Sequence, residues 1–157
     1  MLPTYSQRIF NLLSGLWVGG LLTIGFLVVP TLFSSLGDRQ VAGMVAANLF
    51  KSTAYISVLT SIVLMVLANY FVRVGKPQYR IDRWILLGML ACAIAAAFII
   101  IPWMNSLRDQ ALYLGLSVRE STHAVLFSRL HGISSAIYML QTLLGIVFVW
   151  RATKNAD

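Results

Sequence analysis

Two stretches of this chain read as one unit written twice, and both are written for lipid. Phe26-Leu27-Val28-Val29-Pro30 precedes Ser35-Leu36-Gly37-Asp38, after which Phe50-Lys51 leads into an apolar run. Phe98-Ile99-Ile100-Ile101-Pro102 precedes Ser106-Leu107-Arg108-Asp109, after which Ser128-Arg129 leads into another. Each half predicts an apolar helix with a proline near its end, a polar turn, and a second apolar helix entered beside a basic residue. The four apolar windows are residues 9–33, 52–72, 84–104 and 127–150. Each reaches the roughly 20 residues that a helical span needs. Lipid-exposed backbone must satisfy its own hydrogen bonds, so these windows read as helices. The expected fold is all-α: a polytopic membrane protein of four transmembrane helices, arranged as two parallel-repeat hairpins. The repeats cover about 9–74 and 84–151 within a single membrane domain, 1–157.

Composition and charge agree. Of 157 residues, 59% are hydrophobic and 11% charged, where a soluble domain carries about 25% charge. The first window follows a single Arg8 and is too long for a signal-peptide core, so it is expected to be retained. The net charge of +7 is unevenly placed. Arg8, Arg73, Lys76, Arg80, Arg83, Arg151 and Lys154 share one side, against Asp82 and Asp157. Arg39, Lys51, Arg108, Arg119 and Arg129 share the other, against Asp38, Asp109 and Glu120. The positive-inside rule then puts both termini in the cytoplasm of a bacterial-type plasma membrane. The basic surplus reads as topology and attraction to anionic headgroups, not as nucleic-acid binding. Cys92 is the only cysteine, which excludes an intrachain disulfide and a Cys-based metal site. It is expected to pack as a small apolar residue.

The outer connections look helical. Val41, Met44, Val45 and Leu49 recur at helical spacing behind an Asp38 N-cap. Ser117-Val118-Arg119-Glu120 reads as a capping box, and a helix starting there is expected to run on into span four. Lys51 lies 13 residues after Asp38 and Arg129 lies 12 after Ser117, an agreement independent of the proline motif. Parallel repeats imply a pseudo-twofold axis along the membrane normal, with odd helices expected to pack on odd and even on even. Gly15 and Gly19 form a GxxxG, and Gly88, Cys92 and Ala96 a small-residue row; both faces are expected to be close helix contacts. Pro30 and Pro102 are expected to end or bend their helices. Trp84, Trp103, Trp150, Tyr5 and Tyr79 are expected in interfacial belts.

Chemistry is sparse. His131, Ser135, Tyr138, Thr142 and Gly145 form one face of span four, which is expected to point into the bundle. Span two adds Lys51, Tyr55 and Asn69, with Ser57 and Ser61 on a neighbouring face; span one adds Asn11, Ser14 and Thr23. Lys51, Arg129 and His131 sit about one turn inside the outer boundary, where an ionisable group costs a few kcal/mol unless it snorkels or is paired. One reading has Lys51 and Arg129 snorkelling to headgroups. The other has them lining an outward-facing pocket for an anionic group. The candidate ligand-binding set is Lys51, Tyr55, Arg129, His131, Ser135 and Tyr138. His131 reads either as a hydrogen-bonded packing residue or as a haem or copper ligand. His123 is its only histidine partner, eight residues away. That is roughly 12 Å along one helix, too far to clamp one iron. Met104 and Met139 could add soft ligands for Cu(I). No span interior carries an acidic residue, and there is no HExxH, GxSxG or Walker loop. Hydrolase and kinase chemistry therefore have no support, and a non-enzymatic role is expected.

Leu16-Trp17-Val18-Gly19-Gly20, Val29-Pro30-Thr31-Leu32-Phe33 and Phe127-Ser128-Arg129-Leu130-His131-Gly132-Ile133-Ser134 carry a resemblance. On these motifs the chain resembles the four-helix membrane family catalogued as domain of unknown function 4149, similar to transmembrane protein 205, over nearly its whole length. More distantly, Trp17 to Gly20 resembles the CopD copper-resistance membrane domain and the HemJ-type protoporphyrinogen oxidases. Those relatives imply metal or haem handling, but spans one to three hold no histidine where a HemJ-like site would want one. The expected function is a non-enzymatic inner-membrane protein that binds an anion, a lipid headgroup or a metal in an outward-facing polar pocket. The alternatives are a haem- or copper-binding redox protein and an accessory subunit of a larger membrane complex. No cofactor is the leading expectation, with haem or copper the candidates. The bilayer is the expected partner, and a homodimer through lipid-facing helices is open.

Overall fold

The computed structural model describes residues 5–154. Its four long helices are α1 (Tyr5–Ser35), α2 (Arg39–Arg73), α3 (Tyr79–Tyr113) and α4 (Ala124–Lys154), with no strand among the described residues. They have 31, 35, 35 and 31 residues, all apolar enough to cross a membrane. At 1.5 Å per residue each is longer than the ~30 Å hydrocarbon core, so their ends reach the headgroup layer or beyond. The chain is an integral-membrane-type bundle with both described ends on one side, here the termini end. The side carrying the 36–38 turn and the 114–123 connector is the loop end.

Local chemistry sets the boundaries. Asp38 caps α2, its carboxylate accepting from the Gln40 and Val41 amides at 2.7 and 3.3 Å. Gly75 (φ 86°) and Gly115 (φ 69°) terminate α2 and α3 in the left-handed region. Each lets the next amide bond back five residues, Lys76 to the Phe71 carbonyl and Leu116 to the Ala111 carbonyl, both at 3.0 Å. The expected helix from Ser117 does not form. The Glu120 carboxylate does accept from the Ser117 amide at 3.1 Å, as in a capping box, but it also accepts from the Ser117 hydroxyl at 2.7 Å. Residues 117–123 remain a run of turns, and α4 starts at Ala124.

The helices pack as a ring in chain order: α1 on α2, α2 on α3, α3 on α4, and α4 back on α1, with α2–α3 the most extensive interface. This corrects the odd-on-odd expectation. Turns as short as 36–38 and 74–78 place successive helices side by side, which leaves odd and even pairs on the diagonals. At the termini end one ring from each helix meets the others. Phe10 packs edge-on against Phe71, Tyr79 and Phe148 with centroids at 5.6, 5.5 and 5.6 Å. Between helices already in lipid, fitted packing and hydrogen bonds must carry association. Tyr79 is thus fully buried rather than interfacial, its hydroxyl accepting from the Gln7 amide at 3.3 Å. Trp84, Trp103 and Trp150 are outward-facing. Asp82, fully buried, pairs with Arg151 at 2.9 Å and ties α3 to α4; Arg83 donates to Asn69 and ties α3 to α2.

Neither proline ends its helix. A single π turn precedes each, at Ile24–Val28 and Ala96–Ile100, and the helix then continues through Pro30 to Ser35 and through Pro102 to Tyr113. The wide turn accommodates a ladder that cannot be regular beside a residue without an N–H. The GxxxG face also departs from expectation. Gly15 and Gly19 point out of the bundle, and a Cβ on either would meet nothing within 4 Å. The close approaches are instead at Gly145, whose Cβ would lie 3.0 Å from Val18, and at Gly25.

Candidate functional site

The buried polar residues are mostly structural. Ser14, Thr53, Ser61 and Thr142 each donate to the carbonyl four residues back, at 2.6–2.8 Å. Trp17 donates its indole N–H to the Ser57 hydroxyl at 3.0 Å, joining α1 to α2 inside the bundle. Such bonds make polar side chains tolerable in an apolar interior, and they leave little there for a ligand.

Tyr138 is different. Its hydroxyl crosses from α4 to α1 and donates to the Leu21 carbonyl at 2.6 Å. The Gly25 amide interacts with the same oxygen. Leu21 and Gly25 are an i, i+4 pair, so the hydroxyl sits where the regular helical bond would run. A side chain entering the ladder is a known cause of local helix distortion, and the π turn of α1 begins one residue before Gly25. The ring also rests edge-on against Phe50 of α2, centroid to centroid 5.0 Å. Tyr138 therefore holds α1, α2 and α4 together at one level.

Below that level the α1–α4 seam is closed by Val18 against Gly145 and by the ring cluster. Above it the loop-end part of α1, Val29–Ser35, packs on α2 and makes at most marginal contact with α4. His131 and Ser135 lie on this stretch of α4, on the Tyr138 side, and both are exposed. Ser135 donates to the His131 carbonyl at 2.9 Å; the His131 imidazole has no partner among the described residues. The sequence stripe is thus split. Thr142 and Gly145 face the core, Tyr138 forms a floor, and His131 and Ser135 face an open seam.

The six predicted ligand residues do not converge. At 100° per residue Arg129 is turned roughly 180° from Tyr138 and leaves α4 on another face. Lys51 and Tyr55 share an exposed face of α2 directed toward α3, where Tyr55 stacks edge-on against Phe98 at 5.8 Å. Lys51 adjoins Phe50 and so lies near the Tyr138 level, whereas Arg129 is nine residues nearer the loop end, roughly 13 Å. The two cations thus leave their helices on different faces. The two predicted metal ligands are also apart. His123 lies in the connector before α4 and His131 two turns into the helix. No group of three or more metal-ligating side chains occurs among the described residues.

Sequence reasoning missed Gly25, whose role depends on which helix lies opposite. It also missed the Asp82–Arg151 pair, which reads in sequence as loop charge. A third omission is a groove of about 680 Å³ on the loop end of α3, whose lining includes Asn105, Asp109, Gln110 and His123.

The model of the family described as domain of unknown function (DUF4149) matches residues 12–112. The chain belongs to that family. The matched segment runs from the first turns of α1 to the end of α3 and contains Trp17, Gly25 and both proline-linked π turns. No curated protein and no solved structure matches the chain.

Proposed function

We propose that this DUF4149 protein is a non-enzymatic binder of an anionic lipid, which it holds by the headgroup at the loop end of the open α1–α4 seam. The observation that carries this reading is the seam itself. It is closed at and below Tyr138, open above it, and lined by exposed His131 and Ser135. Hydrogen-bonding groups at lipid depth are stabilised by a partner with complementary polar atoms: a phosphate headgroup accepts from the His131 ring N–H, and a headgroup hydroxyl can donate to the Ser135 oxygen, whose own proton goes to the His131 carbonyl. The acyl chains would run along exposed Phe26 of α1. Lys51 and Arg129 act separately, snorkelling on other faces to anionic headgroups of the same leaflet.

The loop end is assigned to the outer face of a bacterial-type plasma membrane, with both termini cytoplasmic, on the charge distribution. We also infer that the two hairpins derive from one duplicated unit. The matching π turns before Pro30 and Pro102 support this, as does a ring in which α2–α3 and α4–α1 are the equivalent contacts.

The test is native mass spectrometry of protein released from phosphatidylcholine nanodiscs carrying phosphatidylglycerol. A one-to-one phosphatidylglycerol adduct is expected to be retained by the native protein and by Lys51→Ala and Arg129→Ala. It is expected to be lost from the His131→Ala, Ser135→Ala double variant. Equal retention of the neutral lipid, or a Soret band on haemin addition that disappears in His131→Ala, would overturn the reading.

A further inference from the structure

The groove on the loop end of α3 lies apart from the α1–α4 seam. One wall is the polar face of α3 beyond the apolar window, with Asn105, Ser106, Asp109 and Gln110; the other is Ser121, Thr122 and His123 of the connector. Pro102, Tyr113 and Leu114 also line it, with Tyr113 89% and Leu114 67% exposed. Its ~680 Å³ falls within the 300–1,000 Å³ typical of small-molecule sites. Several lining groups keep unused capacity. The Asp109 carboxylate and the Thr122 hydroxyl make no side-chain hydrogen bond among the described residues. Asn105 accepts from Arg108 through its oxygen, leaving its amide N–H groups free, and Gln110 donates to Ser106, leaving its oxygen free.

We propose that this groove binds a neutral, hydroxyl-rich ligand, the sugar headgroup of a glycolipid. The donor and acceptor set decides the class. Amides, hydroxyls and one carboxylate interleave donors with acceptors, which suits vicinal hydroxyls that both give and take protons. A phosphate is disfavoured by Asp109, since the one cation next to it in sequence, Arg108, is turned to Asn105 and the Phe127 ring. The exposed Tyr113 and Leu114 give the apolar C–H face of a sugar ring something to lie on, and a tyrosine does so while keeping its hydroxyl wet. Position decides the source. The groove begins at Pro102 and Asn105, beside outward-facing Trp103 at the edge of the apolar window, which is the depth of a headgroup.

The test uses the full chain in phosphatidylcholine nanodiscs containing monoglucosyl diacylglycerol, followed by native mass spectrometry and amide exchange. Expected are a glycolipid adduct and slowed exchange in residues 105–123. Free glucose should compete only at far higher concentration. Asp109→Asn should weaken binding roughly tenfold or more, as expected for loss of a bond to a charged acceptor, with an unchanged unfolding midpoint. Free glucose competing as well as the lipid would overturn the glycolipid assignment. Phosphatidylglycerol displacing the glycolipid, no protection at 105–123, or full binding by Asp109→Asn would overturn the site. Protection confined to residues 24–33 and 131–138 would belong to the seam and count against the groove alone.

Discussion

A Cβ at position 25 would sit 2.5 Å from a ring carbon of Tyr138, closer than any real contact, so either the ring or the π turn must move. Gly25→Ala is therefore expected to destabilise the protein by about 1–3 kcal/mol, the usual range for forcing volume into a packed site. Gly19→Ala, whose Cβ would meet nothing, should stay within about 0.5 kcal/mol of the parent. Reversible unfolding in mixed micelles checks both, and equal effects would contradict the packing. The Glu120 carboxyl gives a residue-scale pH effect. The Ser117 hydroxyl and amide hold it below the ordinary glutamate range. Its contribution to the connector turn is complete above the ordinary carboxyl value and is lost as pH falls through the lowered one. The Ser117 amide resonance is expected to shift over that acidic window, and Glu120→Gln should abolish the shift. A shift that persists in Glu120→Gln would assign the titration elsewhere.

Among the elements, the buried Asp82–Arg151 pair links α3 to α4 beside the ring cluster. Its halves are unequal, with Asp82 fully enclosed and the Arg151 side chain about a third exposed. Arg151→Ala removes the cation from a fully enclosed carboxylate and is expected to cost about 1–3 kcal/mol, whereas in Asp82→Asn the arginine can turn to water or headgroups. Unfolding measurements should rank Arg151→Ala as the more damaging; the reverse order would mean that Asp82 is not the enclosed partner. These elements also mark what sequence can carry. Spans and the Asp38 cap were legible because each is a local pattern of hydropathy or capping, whereas the prolines marked an irregular ladder without ending either helix. The GxxxG face misled because a small residue permits a close contact without naming the helix that makes it. The Ser117 capping box misled because its hydroxyl can bond the Glu120 carboxylate instead of a helical amide. Nothing local to Gly25 or Tyr138 foretells that one enters the ladder of the other.

For the whole molecule, closure is uneven along the bundle axis. Rings from four helices, three inter-helix polar ties and the Val18–Gly145 approach hold the termini end. The loop end relies on separate contacts, Ala97 and Ile101 of α3 with Ala54 of α2, and Ile100, Met104 and Leu107 of α3 with Leu130 of α4. The α1–α4 seam lacks an equivalent cluster, and this asymmetry is what makes a lateral entry for lipid reasonable. The candidate site was half legible in sequence: the His131–Ser135–Tyr138 face stands out by spacing, but its separation from Lys51 and Arg129 depends on helix rotation and ring order. The most direct measurement is photo-crosslinking with phosphatidylglycerol carrying a diazirine in its acyl chain, followed by peptide mapping. Adducts are expected to concentrate on residues 24–33 of α1 and 131–138 of α4, and to fall away when His131 and Ser135 are both alanine. Adducts spread evenly over every outward-facing helix surface would contradict a lipid site at this seam.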